Sequence, residues 1–158
     1  TASETVDTTI DFEHGTGATT TVEIPAGTVT GSPTLIHTPD VAVMQGHPGG
    51  FRLGGMTFDL QVCEDGECVD DYVFSAPVTV TLTYQDADVA GLIEEDLYLL
   101  TWNGSEWVDA IADCGWPLTA YGRYPDENRL VVPPCHFSKF ALVGETHDIY
   151  LPVVLRAS

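Results

Sequence analysis

Val78-Thr79-Val80-Thr81-Leu82-Thr83-Tyr84 alternates apolar and polar residues without a break, the strongest period-two run in the chain. Such alternation sends Val78, Val80, Leu82 and Tyr84 to one face of a β-strand and the threonines to the other. The rhythm recurs at Thr8 to Glu13, with Ile10 and Phe12 together, at Thr19 to Ile24, and at Met56 to Cys63, with Met56, Phe58, Leu60 and Val62 on one side. Shorter strands are expected at Leu35 to Thr38, Val41 to Gln45, Phe51 to Leu53, Val69 to Phe74, Leu97 to Trp102, Trp107 to Ile111, Arg129 to Val132 and Lys139 to Val143. Pro39, Pro48, Pro25-Ala26-Gly27 and glycine pairs punctuate them. Asn103-Gly104 predicts a type I′ hairpin turn.

Gln85 to Glu95 offers one helical turn, and no window sustains an amphipathic helix of ordinary length. Turn signals recur about every ten residues. The expected fold is therefore all-β, an antiparallel two-sheet sandwich with an extra C-terminal strand. Residues 1–144 form the sandwich domain in this reading, and residues 145–158 form a hinge and an apolar strand. The chain has 158 residues, 44% of them hydrophobic, enough for one ordinary core.

Charge narrows the partners. Five Lys and Arg against 24 Asp and Glu leave a formal net charge of -19, which disfavours nucleic acid and anionic membrane surfaces. No run of about 18 apolar residues is present, so no membrane span is expected. Numbering from Thr1 rather than Met suggests a mature, secreted product after signal-peptide removal, acting outside the cell or at its surface. The cysteines fit that compartment. Cys63 and Cys68 bracket Glu64-Asp65-Gly66-Glu67, a turn sequence, and a bridge there would staple a hairpin; Cys114 and Cys135 are then expected to pair. Zinc would want paired C-x-x-C knuckles or matching histidines, which are absent.

The last stretch, Ile149-Tyr150-Leu151-Pro152-Val153-Val154-Leu155, follows the polar hinge Gly144 to Asp148. An apolar strand of this kind templates aggregation unless something pairs with it. Ile149, Leu151, Val153 and Leu155 share one face, suited to filling a groove in a sheet edge. Pro152 donates no N–H and fits an edge position. The favoured function is a secreted structural subunit whose terminal strand completes the sheet of another copy, building a head-to-tail homopolymer.

Thr21 to Val29, Pro77 to Tyr84, Leu97 to Trp107 and His136-Phe137-Ser138 together resemble the ZU5-like β-sandwich domains of animal receptors and bacterial secreted proteins. The ending Ile149 to Arg156 resembles the terminal segment of many secreted proteins of filamentous Chloroflexi-type bacteria. The resemblance implies one chemistry. In related autoproteolytic domains a His-Phe-Ser triplet is a self-cleavage site, with Ser138 attacking the Phe137 carbonyl and His136 assisting proton transfer across a strained peptide.

Other chemistry is sparse. No nucleophile, base and orienting group stand at spacings that suggest turnover, and no phosphate-cradling glycine loop is present, so no enzyme acting on other molecules is expected. No cofactor is expected. Asp86-Ala87-Asp88 and the runs Glu94-Glu95-Asp96 and Asp70-Asp71 admit at most weak Ca²⁺ binding. His14, His37, His47, His136 and His147 show no ligand spacing. Asn103-Gly104-Ser105 is formally a glycosylation sequon. Trp102, Trp107, Trp116, Tyr121 and Tyr124 suggest a sugar-stacking strip, and with it the alternative of a monomeric adhesion or carbohydrate-binding module.

Overall fold

A computed structural model describes residues 2, 7–14, 17–29, 31–39, 52–69, 72, 74–111 and 120–145. Two antiparallel sheets pack face to face. The first runs β1 (Thr8–Glu13), β2 (Thr19–Ile24), β6 (Thr79–Thr83), β10 (Arg129–Val132), β9 (Gly122–Tyr124). The second runs β3 (Thr34–Pro39), β4 (Arg52–Glu64), β11 (Lys139–Gly144), β7 (Tyr98–Trp102), β8 (Trp107–Asp109), with β5 (Glu67–Val69) also paired to β4. Among the described residues helical structure is limited to three short 3₁₀ turns, one of them within the expected Gln85 to Glu95 stretch and a second overlapping its end.

The core follows from the alternation. Val22 faces Val80 across β2 and β6, and Leu82 faces Leu130 across β6 and β10. From the opposite sheet come Phe58 and Phe140, neighbours across β4 and β11 whose ring centroids are 5.3 Å apart. Each such fully buried side chain contributes about 1.5–3 kcal/mol relative to exposure. β11 departs from simple alternation: Phe140 and Leu142 enter the core, while Ala141 and Val143 are buried on the other face with Leu100, Trp107, Tyr98 and Trp102. The second sheet thus carries apolar contacts on both faces.

Several boundaries differ from expectation. Phe51 to Leu53 and Met56 to Cys63 were separated by the Gly54-Gly55 pair, yet 13 residues form one strand, β4. The glycines mark a close approach instead of a break. A Cβ on Gly54 would lie 2.9 Å from the Asp88 carbonyl oxygen and 3.0 Å from that of Leu142, and one on Gly55 would collide with Asp88. The 3₁₀ turn Asp86–Val89 packs on β4 here, and the β4–β11 register shifts between Ala141 and Val143. Among the described residues the return from the cysteine turn is Glu67–Val69, with Asp70, Asp71 and Val73 of the expected strand outside them, and β9 carries no alternation that would have announced it. The Val41 to Gln45 strand and the Ile149 to Leu155 strand lie outside the described residues.

Two hairpin turns also exchange roles. Asn103 does not take the positive φ that a type I′ turn demands; β7 and β8 are joined by a four-residue loop in which Asn103 Oδ1 accepts the backbone N–H groups of Ser105 and Glu106 at 2.9 Å each. The positive-φ pair is Asp65-Gly66, at 51° and 84°, between β4 and β5. That turn brings Cys63 opposite Cys68, and the expected disulfide joins them. Replacing both by Ala is expected to lower the unfolding free energy by about 2 kcal/mol, the chain entropy of so short a loop. Urea denaturation of the double variant beside the parent measures it, and an unchanged midpoint would mean that the Asp65-Gly66 turn alone holds the hairpin. Cys135 is also disulfide-bonded, and Cys114, its expected partner, lies outside the described residues.

Candidate functional site

A concave feature of mixed chemistry lies on the outer face of the second sheet, at the end where β11 begins. On β4, Phe58 and Leu60 point inward, which sends Asp59 and Gln61 outward by the two-residue period. Lys139 pairs with Asp59, and since Phe140 pairs with Thr101, Lys139 stands beside Trp102 on the next strand. Trp102 in turn pairs with Trp107. A carboxylate, an amine and two indoles therefore form a row across four adjacent strands, each about 4.8 Å from the next.

Asp59, Leu60, Gln61, Trp102, Gly104, Ser138 and Lys139 line a pocket of about 280 Å³ in this region. Backbone and hydroxyl bonds hold its walls. Leu60 N–H donates to Ser138 O at 3.0 Å, Ser138 Oγ donates to Trp102 O at 3.0 Å, and Thr101 Oγ1 donates to Lys139 O at 3.1 Å. The Trp102 and Trp107 ring centroids are 5.6 Å apart with planes tilted by 59°. The Trp107 ring is 3% exposed, and its indole N–H is buried without a hydrogen-bond partner. Gly104, at φ 102°, would place a Cβ in open space and so leaves the rim unobstructed.

The five aromatic residues do not form a single strip. Tyr121 turns inward to the edge of β7, where its phenol oxygen accepts the Leu99 N–H at 3.0 Å and its proton goes to the Asp109 carboxylate, with the Leu99 carbonyl alongside at 3.1 Å. Arg123 sits 4.8 Å from the Tyr121 ring and donates from Nε to Leu97 O. These two side chains satisfy backbone groups of Leu99 in β7 and of Leu97 just before it, beyond the short β8, and tie the sheets together. Burial pushes the Tyr121 phenol far above its ordinary 10.0, and the bond to Asp109 adds to the shift. Tyr84 is raised for the same first reason and by its bond to Glu94. Tyr124 is exposed under Arg129, and Trp116 lies outside the described residues.

At the triplet, Phe137 is a core residue, 1% exposed, with its ring 4.7 Å from Phe74. Its N–H donates to Tyr72 O at 3.0 Å. Ser138 gives its hydroxyl proton to Trp102 O, and His136 Nδ1 is buried with no hydrogen bond, so Nδ1 and Ser138 are not engaged with each other. Among the described residues the only positive φ values outside glycine are at Asp65 and Asn128.

The acidic segment serves the backbone. Asp88 Oδ2 accepts the Gln85 N–H at 2.8 Å, and Asp86 Oδ1 accepts from Asn128 Nδ2 at 2.8 Å. Among the described residues no three His, Cys, Asp or Glu side chains converge as a metal site would need. Two of the scattered histidines do meet: His14 and His37 have ring centroids 4.8 Å apart, His37 stacks between Phe12 and Phe58, and His14 Nε2 is 2.8 Å from Thr20 Oγ1. They are 23 positions apart in the sequence, so only the packing of β3 against the end of β1 shows the pair.

The sheet edges matter as much as the pocket. Among the described residues β1 ends the first sheet and β3 ends the second. On β1, Ile10 and Phe12 pack against the core yet stay half-buried, while Asp11 and Glu13 are exposed. Ile149, Leu151, Val153 and Leu155, expected to form an assembly strand, lie outside the described residues. No family model, no curated protein and no solved structure matches the chain.

Proposed function

We propose that the protein is a secreted structural subunit that assembles head to tail, the strand Ile149 to Leu155 of one copy adding to the edge of the next. The observation that carries this reading is β1: among the described residues a six-residue edge strand, whose Ile10 and Phe12 stay half-buried. An added strand bonds to the edge backbone and offers apolar side chains to the exposed flank of those two residues. Charge favours the match, because β1 carries Asp11 and Glu13, whereas the terminal segment ends in Arg156, one of only five basic residues in the chain. The Cys63–Cys68 bridge and the acidic surface suit an oxidising extracellular setting. The ZU5-like resemblance supports the same setting.

The test is negative-stain electron microscopy of the full chain beside a truncation ending at His147. Filaments are expected from the full chain and compact particles from the truncation. Adding a peptide of residues 148–158 in excess should cap the filaments and shorten them. With a net charge of -19 per subunit, assembly should also strengthen as salt screens the repulsion. Monodisperse single particles from both chains across the salt range would overturn the reading.

A further inference from the structure

We infer that the pocket on the outer face of the second sheet is a binding subsite for a neutral, pyranose-based polysaccharide, independent of how subunits join. A sugar ring presents an apolar C–H face and a rim of hydroxyls, each of which both donates and accepts hydrogen bonds. The pocket offers the complement: the Trp102 ring, a carboxylate acceptor at Asp59, an amide at Gln61 that does both, and an amine donor at Lys139.

Other ligand classes fit less well. The site centres on one carboxylate and one amine paired across β4 and β11, so its local charge balances, and the protein's -19 repels acidic chains. A metal ion would be opposed by Lys139. Hydrolysis of a glycosidic bond calls for two flanking carboxyl groups, and Asp59 is the only one among the described lining residues. Binding, not turnover, is the chemistry available.

Size and rigidity agree. About 280 Å³ lies near the lower bound of small-molecule sites, room for the end or one unit of a glycan. The bonds from Leu60 N–H to Ser138 O, from Ser138 Oγ to Trp102 O and from Thr101 Oγ1 to Lys139 O fix β4, β11 and β7 against one another, so the walls stand before a ligand arrives. A preformed site loses little to ordering on binding. Gly104 leaves one end of the row open, as a chain continuing past the site requires.

The chain has three tryptophans, so its indole N–H region holds three assignable cross-peaks. Cellohexaose and fully N-acetylated chitohexaose are each titrated into the full, oxidised chain, with hexa-galacturonate as the charged comparison. The expected result is a saturable shift of the Trp102 indole with at least one neutral hexamer and none with the galacturonate. Trp102→Ala should weaken binding at least tenfold, read from calorimetry. Gln61→Ala, a change on the outer face of β4, should weaken it several-fold while lowering the thermal midpoint by no more than a few degrees, which guards against a Trp102 variant that fails to fold. No response to either neutral hexamer, a response only to the galacturonate, or affinity unaffected by Gln61→Ala would overturn the assignment.

Discussion

Phe137→Ala should lower the unfolding free energy by about 3–5 kcal/mol, the largest loss expected from any single truncation in the triplet. The ring is 1% exposed, meets Phe74 edge-on at 4.7 Å and approaches Phe140 at 6.4 Å. Its backbone is pinned by the N–H bond to Tyr72 O, while Cys135 O accepts the Phe74 N–H. Surrounding strands cannot close on the cavity without breaking that bridge, so little of the lost volume is recovered. For a chain of this length the thermal midpoint should fall by roughly 6–20 °C. Phe137→Leu should cost much less, because most of the volume stays. Calorimetry of both variants checks the order; equal midpoints for Ala and the parent would mean that Phe137 is not a core anchor. Ser138→Ala, which removes one hydrogen bond to Trp102 O, should cost only about 1 kcal/mol. The stability role of the triplet therefore rests on its middle residue.

Tyr121→Phe should have the second largest effect, about 1–3 kcal/mol, because it strands two partners. The Leu99 N–H loses its acceptor and the Asp109 carboxylate loses its donor at the edge of β7. The same residue should set an alkaline limit. Its folded-state ionisation lies above the ordinary 10.0, chiefly through burial and next through Asp109. Above pH 10 the unfolded chain therefore releases this proton while the folded one keeps it. Stability is fully present below pH 10 and falls as pH rises beyond it. Tyr84, raised by burial and by Glu94, adds to the same slope. Urea midpoints measured across the alkaline range should fall steeply for the parent and less steeply for Tyr121→Phe, with the remainder due to Tyr84 and to Tyr72, which burial also raises. Parallel curves for the two proteins would show that Tyr121 ionises freely in the folded state.

The contrast between these residues shows how legible each was. Phe137 could be placed in the core from its position between two polar neighbours at the start of an apolar strand. Tyr121 could not be placed: its neighbours have no alternation, and its role is to reach a strand 22 positions away. Nothing local encodes such a reach.

The sequence by itself determined the fold class, the two long strands that open the chain, the inward faces of β4 and β6, and the Cys63–Cys68 staple. All of these rest on short-range rules, a side-chain period of two and turn chemistry over a few residues. Tertiary structure alone decided that β11 lies between β4 and β7. That order sets Asp59, Lys139, Trp102 and Trp107 in one row and turns Gly54-Gly55 from a break into a place of close packing, while the packing of one sheet on the other brings His14 to His37. The physical reason is that strand order is chosen by which apolar faces bury best together across the whole chain, and a strand's own residues specify its inward face but not its neighbours.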